Sequence, residues 1–163
     1  MKTVSRALGI AAIFILTGCT YSFRGQVAGD IKSIAIPTFE NETAEFGIAE
    51  TITEELVRGF QRDGVLKITS EDQADATLLG RVLKIEDQPY TARADQTVDE
   101  YRFSMTCEIE LVNNRSNETA WKQVYPAWAI YPYTGSLENR DAAVREAVGK
   151  LREDLLNRLV GSW

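Results

Sequence analysis

Residues 101–111 read Tyr101-Arg102-Phe103-Ser104-Met105-Thr106-Cys107-Glu108-Ile109-Glu110-Leu111, with an apolar side chain at every odd-numbered position. Successive side chains of a β-strand point to opposite faces, so this alternation predicts a strand with one face in the core and the other in water. A polar turn follows at 113–118, and residues 119–127 return as a second strand. The two segments together predict an antiparallel hairpin.

Three further strands are predicted upstream of this hairpin. Residues 31–36 form a β-branched run closed by Pro37, and residues 65–69 form a second run after an intervening helix. A strand-helix-strand order favours parallel pairing through a right-handed crossover. Residues 75–87 are the third strand, and a bulge near Gly80, or burial of both faces, would explain their irregular alternation.

Two amphipathic helices complete the pattern. From Phe46 onward apolar residues recur every three to four positions until Asp63-Gly64, where the glycine suits a left-handed C-cap. After a loop at 132–136, a long C-terminal helix runs to about Gly161, and Asn139 or Ser136 can cap its start. Its predicted core residues are Ala143, Val144, Ala147, Val148, Leu151, Leu155 and Leu159.

The order β-α-β-β-β-α predicts an α+β fold, a two-layer sandwich with two helices packed on one face of a mixed four- to five-stranded sheet. Residues 31–163 are expected to form this single domain, because no repeat or linker divides them. Helices on one face leave the other face of the sheet partly exposed or available to a partner.

The N-terminus predicts a lipoprotein. Lys2 and Arg6 precede an apolar run that ends in Leu16-Thr17-Gly18-Cys19, which is the lipobox pattern of a bacterial lipoprotein signal. Residues 1–18 are then a signal peptide, residues 19–30 a tether, and Cys19 the anchor that carries a diacylglycerol thioether and an N-acyl chain such as palmitate. Removing two cations and no acid changes the net charge from −6 to −8, which disfavours nucleic-acid binding.

Several classes of function are disfavoured by the composition. The chain has no histidine, so the commonest general base and metal ligand is missing, and its scattered glycines form no phosphate-binding loop. Cys107 lies on the apolar face of its strand, where a thiol is inert. Neighbouring carboxylates such as Glu54-Glu55 are solvated helix residues. We expect no catalytic site, no metal and no cofactor beyond the lipid on Cys19.

The assembled features resemble the LptE family of lipopolysaccharide-assembly lipoproteins. The resemblance covers most of the mature chain and depends on the order and spacing of several segments. These are residues 19–25 at the lipobox, 31–41 as first strand and turn, Glu54-Glu55-Leu56 through Arg62-Asp63-Gly64, Ala74-Asp75-Ala76, Glu100-Tyr101-Arg102-Phe103 and the C-terminal helix. It implies a location on the periplasmic side of the outer membrane. The implied partner is the LptD β-barrel, whose lumen this protein would plug and whose assembly it would assist.

The resemblance also implies contact with lipopolysaccharide, which in the family is attributed to basic side chains at a sheet edge and its loops. The candidates here are Arg81, Lys84 and Arg93, which could bind lipid A phosphates. An ordinary solvated sheet face is the competing interpretation, since acidic residues surround them in the sequence.

An aromatic segment, Tyr125-Pro126-Ala127-Trp128-Ala129-Ile130-Tyr131-Pro132-Tyr133, supplies candidates for the barrel contact. Exposed aromatic side chains are typical of partner surfaces, so Trp128, Tyr131 and Tyr133 are proposed as barrel contacts. A strand that packs these rings into its own core is equally compatible with the sequence.

The competing assignment is a periplasm-facing lipoprotein of another envelope system. A penicillin-binding-protein activator or a curli-secretion component would share the first strand and turn at residues 34–41. Such relatives should carry a further helix or a pore-forming insertion.

Overall fold

The computed structural model describes residues 31–92, 98–134 and 136–160. The expected signal peptide, the tether and Cys19 lie outside these residues, as does Arg93. The elements are β1 (Ser33–Ala35), β2 (Glu40–Asn41), α1 (Ile48–Asp63), β3 (Lys67–Ile68), β4 (Ala76–Ala92), β5 (Val98–Asn113), β6 (Glu118–Pro132) and α2 (Leu137–Val160). Among the described residues, no helix is both long and apolar enough to cross a bilayer.

The strands form one mixed sheet in the order β3-β1-β4-β5-β6, and β2 pairs with β4 beside β1. β1 pairs in parallel with both β3 and β4, while β4, β5 and β6 form an antiparallel meander. The α+β class and the parallel crossover are therefore confirmed. Among the described residues the sheet has six strands against the four or five predicted, because it includes the two-residue strand β2, which is too short to show any periodicity.

The core lies between one face of the sheet and the two helices. β5 contributes alternate side chains from Phe103 to Leu111, as the sequence predicts, and α2 buries all seven of its predicted apolar residues. α1 buries Ile48, Ala49, Ile52, Leu56 and Phe60. Both helices thus cover the same face, and the other face of β4, β5 and β6 carries the intervening side chains.

Several element ends differ from the predictions. Gly64 ends α1 in a left-handed conformation, with its N–H donating to the Phe60 carbonyl, as expected. Phe46 does not belong to α1, because Gly47 is left-handed at the helix start and leaves the Phe46 side chain fully exposed. The Ser136 hydroxyl accepts from the Glu138 N–H at 3.3 Å, so Ser136 rather than Asn139 caps α2.

The predicted bulge near Gly80 lies two to four residues later, and Gly80 itself has a packing role. The β4–β5 ladder shifts register between Val82 and Lys84, and again between Pro89 and Thr91 and between Thr91 and Ala92. At Gly80 a Cβ would lie 2.3 to 2.4 Å from atoms of the Phe39 ring, which is buried. The Phe39 N–H also donates to the Thr53 hydroxyl of α1 at 3.0 Å. Phe39 therefore holds the segment between β1 and β2 against both β4 and α1.

Asp75 joins the start of β4 to β1. One carboxylate oxygen accepts from the Lys32 N–H at 3.0 Å, the Ser33 N–H at 3.1 Å and the Ser33 hydroxyl at 2.9 Å. The other accepts from Arg115 at 2.7 Å. The backbone hydrogen bond from Lys32, followed by the other donors, lowers the pKa of Asp75 to about 2.

The Phe39–Gly80 contact predicts the response to an added methyl group. Gly80→Ala should lower the free energy of unfolding by about 1–3 kcal/mol, because the ring cannot give way without leaving its buried site. Gly149→Ala is the matched control: its Cβ meets no atom within 4 Å, so the change in α2 should raise stability by about 0.5–1 kcal/mol. Urea unfolding measures both. Equal stability of the two variants would contradict the proposed contact.

The Asp75 cluster predicts acid sensitivity. A depressed carboxyl pKa stabilises the folded chain above the unfolded value of about 3.9, and this stabilisation is lost as the pH falls toward 2. Asp75→Asn should therefore have a lower melting temperature than wild type at pH 7. Its melting temperature should also fall less steeply than that of wild type between pH 4 and 2. Asp72→Asn, in the neighbouring exposed turn, should match wild type throughout. Parallel acid profiles for Asp75→Asn and wild type would contradict this role.

Candidate binding surface

The face of the sheet opposite the helices divides into two regions. We call it the outer face. It carries the even-numbered side chains of β5, which point away from the core and are partly exposed. One region, which we call the lower region, lies around Arg81, Glu108, Glu110 and Lys122 and is charged. The other region, which we call the upper region, places Ile130 beside Arg102 and Trp128 beside Ser104, with Gln88 and Glu86 on the next strand.

Arg81 lies at the centre of the charged region. Its guanidinium is 3.0 Å from Glu42, 3.3 Å from Glu40 and 3.7 Å from Glu108. The hydrogen bond to Glu42 and the negative charges around it raise the pKa of Arg81. A lipid phosphate would have to compete with these three carboxylates for the guanidinium.

Lys122 and Lys84 are also paired. Lys122 lies 2.9 Å from Glu108 and 3.5 Å from Glu110, and its hydrogen bond to Glu108 raises its pKa. Lys84 lies 2.8 Å from Glu86. Of the three predicted lipopolysaccharide contacts, the structure therefore brings Arg81 and Lys84 to the outer face, each with acidic partners.

The three predicted barrel contacts separate on β6 and the loop after it. Trp128 is exposed at the edge of the sheet, where the Lys150 ammonium lies 4.6 Å from its ring centroid and donates to its carbonyl at 2.9 Å. Tyr133 is exposed and packs 5.0 Å from Tyr101 between ring centroids. Tyr131 lies on the core face and is buried, so only Trp128 and Tyr133 are placed to meet a partner directly.

Tyr131 instead belongs to a polar cluster that the sequence does not reveal. Its hydroxyl donates to Asp87 at 2.8 Å, and Arg140 of α2 donates to the same carboxylate at 2.9 Å. Arg140 also forms a bidentate pair with Glu45 at 2.9 and 2.8 Å, and lies 5.2 Å from the centroid of the Phe103 ring. The partners are up to 95 residues apart in sequence, so no local pattern marks them.

Burial sets the electrostatics of this cluster. Desolvation, helped by the hydrogen bond to Asp87, raises the pKa of Tyr131 to about 12. Desolvation opposes the charge on Arg140, but its hydrogen bonds to Glu45 and Asp87 outweigh that effect and raise its pKa. Tyr131 is therefore neutral and Arg140 charged at neutral pH, and the cluster ties β4 and β6 to the helix layer.

The thiol and the adjacent carboxylates that the sequence analysis considers lie in the core and on the surface of α1. Burial raises the pKa of the Cys107 thiol to about 12, so the thiol is neither nucleophilic nor exposed. Glu54 and Glu55 both bind Arg58, at 3.4 and 2.9 Å, on the surface of α1. Within the described ranges no group of three or more acidic or cysteine side chains could hold a metal ion.

Comparison with known proteins gives one family match. The family model described as "LptE: Lipopolysaccharide-assembly" matches residues 31–159. No curated protein matches the sequence.

Solved structures share the architecture at low identity. A Xanthomonas campestris protein of family model DUF330 has a TM-score of 0.62 at 11% identity and covers 81% of this chain and 85% of its own. A hypothetical protein from Chlamydia trachomatis has a TM-score of 0.56 at 10% identity, with coverages of 81% and 97%. PelC from a Paraburkholderia phytofirmans dodecamer has a TM-score of 0.52 at 12% identity, with coverages of 74% and 86%. These likenesses concern the fold alone.

The cluster around Arg140 predicts a stability effect. Arg140→Ala should lower the free energy of unfolding by about 2 kcal/mol, because it leaves Glu45 and Asp87 without their charged partner. Arg145→Ala removes the same side chain from an exposed position on the same helix, and should change stability by less than about 0.5 kcal/mol. Chemical unfolding of both variants measures the difference. A similar loss at the two positions would show that the cluster contributes nothing specific.

Proposed function

The chain belongs to the LptE family of lipopolysaccharide-assembly proteins, and on that premise we propose that it is a non-catalytic plug of an LptD-type outer-membrane barrel. In this proposal Cys19 carries the lipid anchor on the periplasmic side of the outer membrane. The folded domain occupies the barrel lumen, helps the barrel to assemble and assists the passage of lipopolysaccharide to the cell surface.

The observation that carries the barrel proposal is the uncovered side of the sheet. Both helices pack on the core face, so β6 presents Val124 and Trp128, each 47% exposed, on the other face. Tyr133, 59% exposed, follows directly after the strand. Exposed aromatic and aliphatic side chains at one edge are typical of a protein contact surface. We assign the contact with the barrel wall to Trp128 and Tyr133.

The free edge of β6 favours a contact through side chains. Trp128 directs its carbonyl away from β5 toward Lys150, and residues two apart in a strand direct their backbone groups alike. Pro126 and Pro132 stand at equivalent positions and lack an N–H donor. An added strand would therefore find this edge short of donors and partly occupied by a lysine.

Lipopolysaccharide contact by Arg81, Lys84 and Arg93 remains part of the proposal. Arg81 and Lys84 lie on the outer face, where a ligand could reach them. Each is already paired with at least one carboxylate. Binding of a phosphate there would require those carboxylates to be displaced.

Site-specific photocrosslinking tests the barrel contact. A benzophenone amino acid is placed at Trp128 or at Tyr133 in the full-length lipoprotein, expressed in its Gram-negative host, and adducts are detected after irradiation. Both positions should yield an adduct with the large β-barrel. The same residue at Glu54, exposed on α1 on the other side of the domain, is the matched control and should give a weaker adduct than either position, because the assigned contact is at β6 and the loop after it.

The outcome separates the assignments. A barrel adduct from Glu54 that equals those from Trp128 and Tyr133 would move the contact away from β6. No barrel adduct at any position, with a peptidoglycan synthase or a secretion pore captured instead, would favour the competing lipoprotein systems and overturn the proposal.

A further inference from the structure

The free edge of the sheet is a long stretch of β6 without charge. The strand order ends at β6, and no Asp, Glu, Lys or Arg occurs between Lys122 and Glu138. An exposed apolar edge strand is a template for pairing with another chain, and natural strands usually prevent this with charged side chains of their own. Over this stretch β6 lacks them, so any protection comes from its prolines and from the neighbouring helix α2.

Side chains of α2 donate hydrogen bonds to backbone carbonyls of this edge. The Lys150 ammonium donates to the Trp128 carbonyl at 2.9 Å, and the Asn139 amide donates to the Pro132 carbonyl at 3.3 Å. The β5–β6 register is unbroken along this stretch, so its even-numbered residues direct their backbone groups away from β5. Pro126 falls at one of these even positions and presents no N–H.

Lys150 is held in place at this edge. Its ammonium also lies 2.9 Å from the Glu146 carboxylate, one turn earlier on α2, and 4.6 Å from the centroid of the Trp128 ring. A strand that paired with Trp128 would have to take its carbonyl from a charged donor, which forms stronger hydrogen bonds than a neutral N–H. It would also have to displace the ammonium from the ring. The lysine therefore closes the middle of the edge.

We propose that Lys150, together with Pro126, guards the edge of β6 against pairing with β6 of a second copy of this chain. Two identical strands can pair antiparallel about a two-fold axis, and the uncharged sequence at 123–132 would bring no like charges together in such a pair. Each guard would then act at both edges. The guard is independent of the barrel assignment, because it concerns only α2 and β6 of the free protein.

Self-association of the full-length lipoprotein in excess detergent micelles, measured by sedimentation velocity, tests the proposal. Wild type should be monomeric. Lys150→Met with Pro126→Val should associate at least about tenfold more strongly than wild type, because it frees a carbonyl and adds a donor at each of the two edges. Lys150→Met alone should be intermediate, so the test does not depend on the double variant. Lys150→Arg keeps a charged donor and should remain monomeric.

Amide hydrogen exchange shows whether the edge is the surface that pairs. The Trp128 and Ile130 amides face away from β5, whereas the Ala129 amide belongs to the β5–β6 ladder. As the concentration of the double variant rises, exchange at positions 128 and 130 should slow, while exchange at position 129 stays slow throughout. Wild type should show no such change with concentration.

Lys122→Met is the matched control. It removes the same kind of side chain from β6 itself, but Lys122 pairs with Glu108 and Glu110 on the outer face rather than with the edge. This variant should therefore associate no more than wild type does.

Three results would overturn the proposal. The first is that neither Lys150→Met nor the double variant associates, with rapid exchange at Trp128 and Ile130 at every concentration. The second is equal association of Lys122→Met and Lys150→Met, which would indicate a general effect of surface charge. The third is association without protection of those two amides, which would place the contact on another surface.

Discussion

The antiparallel pairing of β4 with β5 is the constraint on which the rest of the structure depends. The ladder runs from the Ala76–Asn113 pair to the Ala92–Val98 pair, and every other strand except β3 joins one of these two. Since side chains alternate between faces, a register slip would send the whole apolar set of β5 into water. The shift between Val82 and Lys84 matters for the same reason: it adds one residue to β4 and keeps Ile85 opposite Met105 on the core face.

This ladder also explains why one face of the sheet is left uncovered. The β1-α1-β3 crossover and the long return helix α2 both bury their apolar stripes against the face that carries Phe103 to Leu111. No helix or strand among the described residues covers the outer face. The lower part carries a network of ion pairs around Arg81 and Lys122, whereas the upper part keeps Trp128 and Tyr90 exposed.

The fold was predictable wherever the periodicity was long. β5, the C-cap at Gly64 and the apolar stripe of α2 follow from alternation and helical spacing, which are local properties. The two-residue strand β2 was missed, because its position depends on Phe39 packing over Gly80 and not on its own sequence. Tyr131 had two equally good interpretations, and the one with the ring in the core prevailed because Asp87 accepts from its hydroxyl and is itself held by Arg140. Asp87 lies 44 residues away from Tyr131, beyond any sequence window.

The same limit applies to the candidate lipid contacts. A sequence identifies which side chains are cationic, but the charge that a ligand meets depends on which carboxylates the fold brings beside them. Arg81 has no acidic neighbour within four residues in the chain, yet strand pairing places Glu40, Glu42 and Glu108 around it. Arg102 directly follows Asp99-Glu100-Tyr101, yet the fold commits Glu100 to Thr91 and buries the Nε of Arg102 without an acceptor among the described residues. Proximity to acids in the sequence is therefore a poor guide to the charge around either arginine.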